Sequence, residues 1–325
     1  MFKVFYYLIF FLRSFINNIP NGKIMKVIIT GGAGFIGSHI ADRFHEDGFK
    51  VKIIDDLSTG KRENCKKYEF VKCSITDLKK LMKEFKGADY VIHNAAKIFV
   101  TESMKKPLLY KKINEQGTFN VLKAAKENNV KKVIFASSAA VYGSTKPPLK
   151  ENSKLNPLSV YAQNKIRGEK ICRNFKGVET VSLRYFNVFG PRQNVKSAYA
   201  AVIPIFISSF NGKKPVTIYG DGKQTRDFIY VKNVAEANLM AAKSEKANGK
   251  VLNIASGKPM TILELARKIS PKIKIVHKQY RKGDIRNSAA DASFSKKILG
   301  NYEKYSFEKG LRETILFYSN LVLNK

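Results

Sequence analysis

Tryptophan is absent from these 325 residues, and cysteine and histidine are scarce, at three and four. Cys65, Cys73 and Cys172 cannot all pair and lack metal-ligand spacing, so a disulfide framework is excluded and a reducing, cytoplasmic compartment is expected. His39, His45, His93 and His277 lie far apart, which argues against a zinc site; no metal is expected. Acidic side chains are also few, 26 against 59 lysines and arginines, for a formal charge of +33. Such an excess suits nucleic acid. Here, however, the basic residues are spread along the whole chain, with no basic arm, RNA-binding aromatic motif or Cys/His finger spacing. With abundant Lys, Ile, Asn, Phe and Tyr, this reads as a composition bias giving a solvated lysine surface, and no nucleic-acid partner is expected. The positive field still draws small anions.

Long apolar runs are missing too. The strongest, VFYYLIFFL (4–12), is closed by Arg13 before the roughly 20 residues a membrane span requires. The following NNIPNGKI offers no small-residue cleavage site, and Met25-Lys26 directly precedes the first clear strand. Residues 1–24 therefore read as a leader of uncertain role, an interfacial membrane anchor being the second and less favoured reading. An apolar content of 44% and this length suit two compact units.

From Met25 onward, short β-branched runs alternate with helical stretches. Strands are expected at 26–30, 50–55, 68–72, 88–95, 131–138 and 180–187, and helices at 36–47, 77–85, 114–128 and 159–175. Continuous apolar strands predict a parallel sheet covered on both faces, an α/β doubly wound Rossmann sheet with a smaller C-terminal substrate-binding lobe. After Asn187 the alternation breaks. A loop-rich insertion is expected at 188–204, a hairpin-like strand pair at 215–231, and helices near 233–243, 261–269 and 306–320. The division that follows is 25–187 plus 230–256 for the nucleotide-binding domain and 188–229 plus 257–325 for the second lobe.

The stretch TGGAGFIG places Gly31, Gly34 and Gly37 between the first strand and a helix. Glycines there allow positive φ and close backbone approach, and the helix N-terminus attracts a pyrophosphate. Asp55, 24 residues after Gly31, ends the second strand, where a carboxylate accepts hydrogen bonds from an adenosine ribose. That favours NAD over NADP, although Lys61 and Arg62 follow closely. Asp56 beside it reads as a loop residue on the same edge.

Ser137 and Ser138 end the fifth strand, and Tyr161 follows Ser138 by 23 residues. Tyr161 and Lys165, at i and i+4, share a helix face. Four other pairs have this spacing: Tyr68–Lys72, Tyr142–Lys146, Tyr219–Lys223 and Tyr305–Lys309. Only Tyr161 comes after a sheet, a nucleotide loop and a strand-end serine. An ammonium about 6 Å away stabilises a phenolate by roughly 3 kcal/mol at an effective dielectric of ~20, about two pKa units. With the positive nicotinamide ring of the oxidised coenzyme adding to it, this predicts a tyrosine poised near neutrality as a general base, with Ser138 on the same substrate oxygen.

Together with HNAA (93–96), NEQGT (114–118), SSAAVYG (137–143), RYFNVFGPRQ (184–193), GDGKQTRDFIYV (220–231) and RKGD (281–284), these residues resemble the extended short-chain dehydrogenase/reductase family, and within it the UDP-sugar 4-epimerases. The resemblance runs from Met25 nearly to the C-terminus. It implies reversible oxidation of a UDP-hexose at C4 by tightly held NAD, with Ser138, Tyr161 and Lys165 as catalytic residues. It assigns NAD contacts to Gly31, Gly34, Phe35, Ile36, Gly37, Asp55, Asp56, Ser74, Ile75, Ala95, Ala96, Asn114, Ser137, Tyr161, Lys165 and Tyr185. Substrate contacts fall to Ser138, Asn187, Thr217, Tyr219, Arg226, Arg281, Asp284 and Ser288, the two arginines on pyrophosphate. Where related dehydratases carry an Asp-Glu pair and decarboxylases a Glu, this chain has Ala139 and Ala140, which favours epimerisation. Ser74-Ile75 replaces the family's usual Asp-hydrophobic pair near the adenine. Ser288 stands where glucose-restricted relatives tend to carry tyrosine, which leaves room for an N-acetyl group. A homodimer through the helices near 114–128 and 159–175 is implied by the resemblance alone. His93 reads equally as packing. The competing readings are a related dehydratase or decarboxylase, and a Rossmann protein that binds without catalysis.

Overall fold

The computed structural model describes residues 24–194, 202–280 and 285–323. The expectations placed on residues 1–23, Arg281 and Asp284 lie outside these. Among the described residues the strands are β1 (Lys26–Thr30), β2 (Lys50–Asp55), β3 (Glu69–Lys72), β4 (Tyr90–His93), β5 (Lys132–Ser138), β6 (Glu179–Tyr185), β7 (Asn187–Phe189), β8 (Val216–Tyr219), β9 (Thr225–Tyr230), β10 (Val251–Ile254), β11 (Pro259–Thr261) and β12 (Ile275–Lys278). The main sheet runs β10-β6-β5-β4-β1-β2-β3, every neighbour parallel.

Side-chain alternation explains why both faces are dry. Val27, Ile29, Ile53, Ile92 and Ile134 enter one apolar layer with Ile40, Phe44 and Leu239. Ile28, Ile54, Val91, Val133 and Phe135 enter the other with Leu81, Phe85, Val121 and Leu122. Helices cover each face, notably Phe35–Glu46 and Val231–Lys243 on the first and Leu78–Glu84 and Gly117–Glu127 on the second. The strand order reverses between β1 and β4, and a crevice opens at their carboxyl ends.

Three readings are corrected. The segment 215–231 is not a hairpin: β8 pairs in parallel with β12, while β9 pairs with β11 and β7. Gly220 and Gly222, at φ +77° and +78°, turn the chain between separate sheets, and both edges of β9 are already taken. The loop-rich insertion takes in most of β7 at its start and the first turn of a helix, Val202–Asn211, at its end, and the main sheet has a seventh strand, β10. The helix expected at 114–128 starts as a π-helical turn, Lys112–Gln116, before regular α-helix from Gly117.

Candidate functional site

At the β1 exit, Gly31 has φ +71°, and a Cβ there would lie 2.6 Å from the Ala95 nitrogen. A Cβ on Gly37 would meet the Gly31 carbonyl oxygen at 2.3 Å, so that glycine lets the helix Phe35–Glu46 sit on the turn. Gly34 caps this helix without a side chain over its first N–H groups. Asp55, buried at the end of β2, accepts from Ala33 N at 3.0 Å and Leu57 N at 2.8 Å. Burial raises its carboxyl pKa, against those two bonds. The donors bind the acid to the glycine turn, so the two parts of the nucleotide signature form one structure.

A cleft of about 1200 Å³ runs along this edge. Gly31, Gly34, Phe35, Ile36, Asp55, Asp56, Ile75, Ala95, Ala96, Ser137, Tyr161, Lys165 and Tyr185 all line it. Its shape and chemistry suit a dinucleotide: a glycine turn at a helix N-terminus, a ribose-reading acid, and apolar walls. Three expected contacts do not line it: Gly37, which packs on the turn, and two side chains that point elsewhere. Ser74 Oγ bonds Thr76 Oγ1 at 2.9 Å, and Cys73 and Ile75 form the wall on either side. Asn114 clasps the backbone of Lys97, with bonds of 2.8 and 2.9 Å, and so shapes the wall from behind.

Tyr161 lies in the first turn of the helix Val160–Asn174 because Ser159 caps it, its Oγ accepting from Ala162 N at 3.1 Å. Ser103 Oγ takes the Tyr161 N–H at 3.2 Å. The Ser138 hydroxyl lies beside the phenol, and its Oγ accepts from Ala140 N at 3.2 Å. Lys165 is buried, donates to Ala136 O at 2.6 Å and lies 5.9 Å from the Tyr161 ring centroid. Burial lowers its ammonium pKa to about 8, opposed by Cys172 and Glu169. The expected lowering of the phenol pKa drew on the positive nicotinamide ring as well as on Lys165, and among the protein's own groups the balance runs the other way. Burial raises the Tyr161 pKa, and Ser138 opposes it. The ammonium is engaged with a carbonyl rather than the phenolic oxygen.

His93 proves to be packing: Thr30 and Thr118 hydroxyls hold its two ring nitrogens at 2.8 and 3.0 Å, and burial lowers its pKa to about 3. None of the expected substrate residues that are described, Ser138, Asn187, Thr217, Tyr219, Arg226 and Ser288, lines the cleft wall. Thr217 and Tyr219 lie on β8 and Arg226 on β9, where Arg226 Nη1 donates to Thr225 O at 2.8 Å. Asn187 Nδ2 reaches Asp227 O at 3.0 Å, and Ser288 N reaches Thr225 O at 3.2 Å.

Sequence reasoning missed much of the wall. Lys97, Ile98 and Phe99 line it directly after HNAA, a signal that was there to extend. Arg192 and Gln193 close the RYFNVFGPRQ motif without having been assigned a contact, and Tyr318 had no local signal. Their places depend on tertiary bonds: Arg192 to Asp42 at 2.8 Å, and the Tyr318 hydroxyl to Gln193 O.

Comparison with known proteins agrees with this geometry. The chain is 38% identical over 306 residues to a putative UDP-glucose 4-epimerase of Methanocaldococcus jannaschii, covering 90% of this chain and 98% of that one. A UDP-N-acetylglucosamine 4-epimerase from Methanobrevibacter ruminantium, solved with UDP-N-acetylmuramic acid, superposes with TM-score 0.85 at 43% identity, over 92% and 99% of the two chains. The UDP-glucose 4-epimerase of Thermotoga maritima, solved with UDP-glucose, gives 0.86 at 35%, over 92% and 100%. The model of the NAD dependent epimerase/dehydratase family matches residues 27–255, and the chain belongs to that family.

Proposed function

We propose that this protein is an NAD-dependent 4-epimerase of UDP-hexoses, acting on UDP-glucose/UDP-galactose and on the N-acetylated pair. The observation that carries this reading is that Tyr161 and Lys165 line the dinucleotide cleft with Ser138 beside the phenol and only alanines at 139 and 140. When bound, NAD would take the hydride from the sugar C4 and give it back to the opposite face, and its positive ring would favour the phenolate. The glycine turn and Asp55 hold the dinucleotide, while Tyr161 takes the 4-hydroxyl proton and returns it. Ser138 bonds the same oxygen, and Lys165 adds positive charge beneath the ring. No carboxylate occupies the turn Ala139–Tyr142, so expulsion of water or carbon dioxide has no general base there. A relative 36% identical is named a UDP-N-acetyl-alpha-D-glucosaminuronate decarboxylase (Bacillus cytotoxicus), and decarboxylation is the alternative to exclude.

Asn187, Thr217, Tyr219, Arg226, Arg281, Asp284 and Ser288 are the proposed nucleotide-sugar contacts. The two-lobe division stands as proposed, supported by a separate apolar cluster around Ile203, Phe206, Ile218 and Leu265. Exposed Met104, Leu108 and Phe119 beside the helix Gly117–Glu127 support a homodimer through that face. Free buried cysteines support a cytoplasmic location. Among the described residues no helix is long and apolar enough to cross a membrane.

Incubation of the purified protein with UDP-glucose and UDP-N-acetylglucosamine, without added coenzyme, tests the assignment. The expected products are the C4 epimers. A 6-deoxy-4-keto sugar, unchanged substrate, or a UDP-pentose formed when UDP-glucuronate is supplied instead overturns it.

A further inference from the structure

Behind the catalytic strand lies a buried ionic network that the proposed chemistry does not use. Glu169 and Arg184 are each 3% exposed and pair through two bonds, Nε to Oε1 at 2.8 Å and Nη2 to Oε2 at 2.7 Å. Ser137 Oγ donates to the same Oε1 at 2.5 Å. Arg184 Nη1 donates to the Tyr142 hydroxyl at 2.8 Å, which donates to Asn253 Oδ1 at 2.6 Å. Asn253 Nδ2 reaches Leu149 O, and Leu149 bonds the backbone of Ala289 and Asp291, next to Ser288.

A pair this deep is no better for stability than apolar packing of equal volume, so its position asks for another reason. Tyr161, Lys165 and Glu169 follow one another at i, i+4 and i+8 on one helix face. Ser137, held by Glu169, is the chain neighbour of Ser138. The carboxylate therefore touches the strand that carries one catalytic group and shares a helix with the other two.

We propose that Glu169 is a positioning residue for the proton-transfer group, fixing the end of β5 through Ser137 and balancing Arg184 so that no excess positive charge stands behind Tyr161 and Lys165; this rests on the epimerase reading above. The groups facing this space are Tyr161, Lys165 and Cys172 from its own helix, His93 from β4, and Arg184 from β6. Tyr142 from the turn after β5 and Glu151 from the next loop complete them. His93 is neutral, and the Glu151 carboxylate is taken by Asn253 N at 2.9 Å. Arg184 is thus the cation that Glu169 balances. Removing the acid makes the site more positive. The phenol then ionises at lower pH, and the ammonium is lost at lower pH, so both limbs of the rate profile move the same way.

The test compares Glu169→Gln, Glu169→Asp and the double variant Glu169→Gln/Arg184→Gln as purified, with their coenzyme content. Glu169→Gln is expected to lower kcat at least tenfold with KM within twofold, and to shift the pH–kcat profile acidward by roughly one unit. The double variant, with no net charge change, is expected to return the profile toward its original position, and Glu169→Asp to leave it unmoved while lowering kcat several-fold. Tyrosinate absorbance, each protein corrected by its Tyr161→Phe counterpart, is expected to shift with the profile. A folded Glu169→Gln protein with normal kcat, or with lower kcat on an unmoved profile, overturns the proposal. If that variant does not fold, unchanged kcat in Glu169→Asp does so. Wild-type turnover is scored first. Its absence sinks the epimerase reading, and the tyrosinate titration alone then judges Glu169.

Discussion

Tyr161 is one of five tyrosines with lysine four positions on, and the surroundings of the other four show why spacing is a weak signal. Tyr68 bonds Asp42 at 2.6 Å, Tyr142 belongs to the Arg184 network, Lys309 sits 4.7 Å over the Tyr305 ring, and Tyr219 and Lys223 flank a turn. Tyr161→Phe is expected to cut kcat by roughly 10²–10⁴-fold while NAD content and melting temperature stay near wild type. Ser288→Tyr is expected to suppress turnover of UDP-N-acetylglucosamine at least tenfold while UDP-glucose turnover persists, since one added ring fills the space an acetamido group needs. Equal loss for both sugars would disprove the pocket argument. The buried histidines act on stability. His93 is held near pKa 3 and His39 near 4, against 6.5 when unfolded. As pH falls from about 6.5 toward 4, the unfolded chain takes up protons that the native one refuses, and stability drops. Calorimetry across that range checks this, and His93→Gln is expected to flatten part of the slope.

At the scale of elements, the first β-α unit is legible because its requirements are local. Strand, glycines and helix are contiguous, and the sterics at Gly31 and Gly37 admit no larger residue. Gly31→Ala combines φ +71° with a contact of 2.6 Å to Ala95 N. It is expected to destabilise the turn by about 1–3 kcal/mol and to yield protein without bound NAD, measured by coenzyme release on denaturation. The expected hairpin failed for a related reason. Period-2 alternation identifies β8 and β9 as strands but carries no information on partners, and these come from β12, β11 and β7.

Over the whole molecule, Asp227 ties distant segments together. Its carboxylate accepts from Ser256 N and Oγ at 2.9 and 2.7 Å, from Gly257 N at 3.0 Å and from Ala290 N at 3.1 Å. β9, the turn after β10 and the segment carrying Ser288 thus meet on one buried side chain. Asp227→Asn turns an amide donor toward N–H groups. It is expected to cost about 1–3 kcal/mol and to raise KM for the UDP-sugar more than it lowers kcat. Denaturant melts and steady-state kinetics measure the two effects. An effect on kcat alone would mean that the tie does not shape the sugar pocket.

Chain-local physics determined the doubly wound sheet, the glycine turn with Asp55, and the strand-end serine followed by a tyrosine–lysine helix, since each depends on neighbours a few residues away. Tertiary structure decided which strands pair beyond Asn187, that Lys165 faces a carbonyl, and that Arg192 and Tyr318 wall the cleft. It also buried Glu169 against Arg184. Such contacts join residues far apart in the chain, and burial, which sets their charge states, exists only once the core has closed around them.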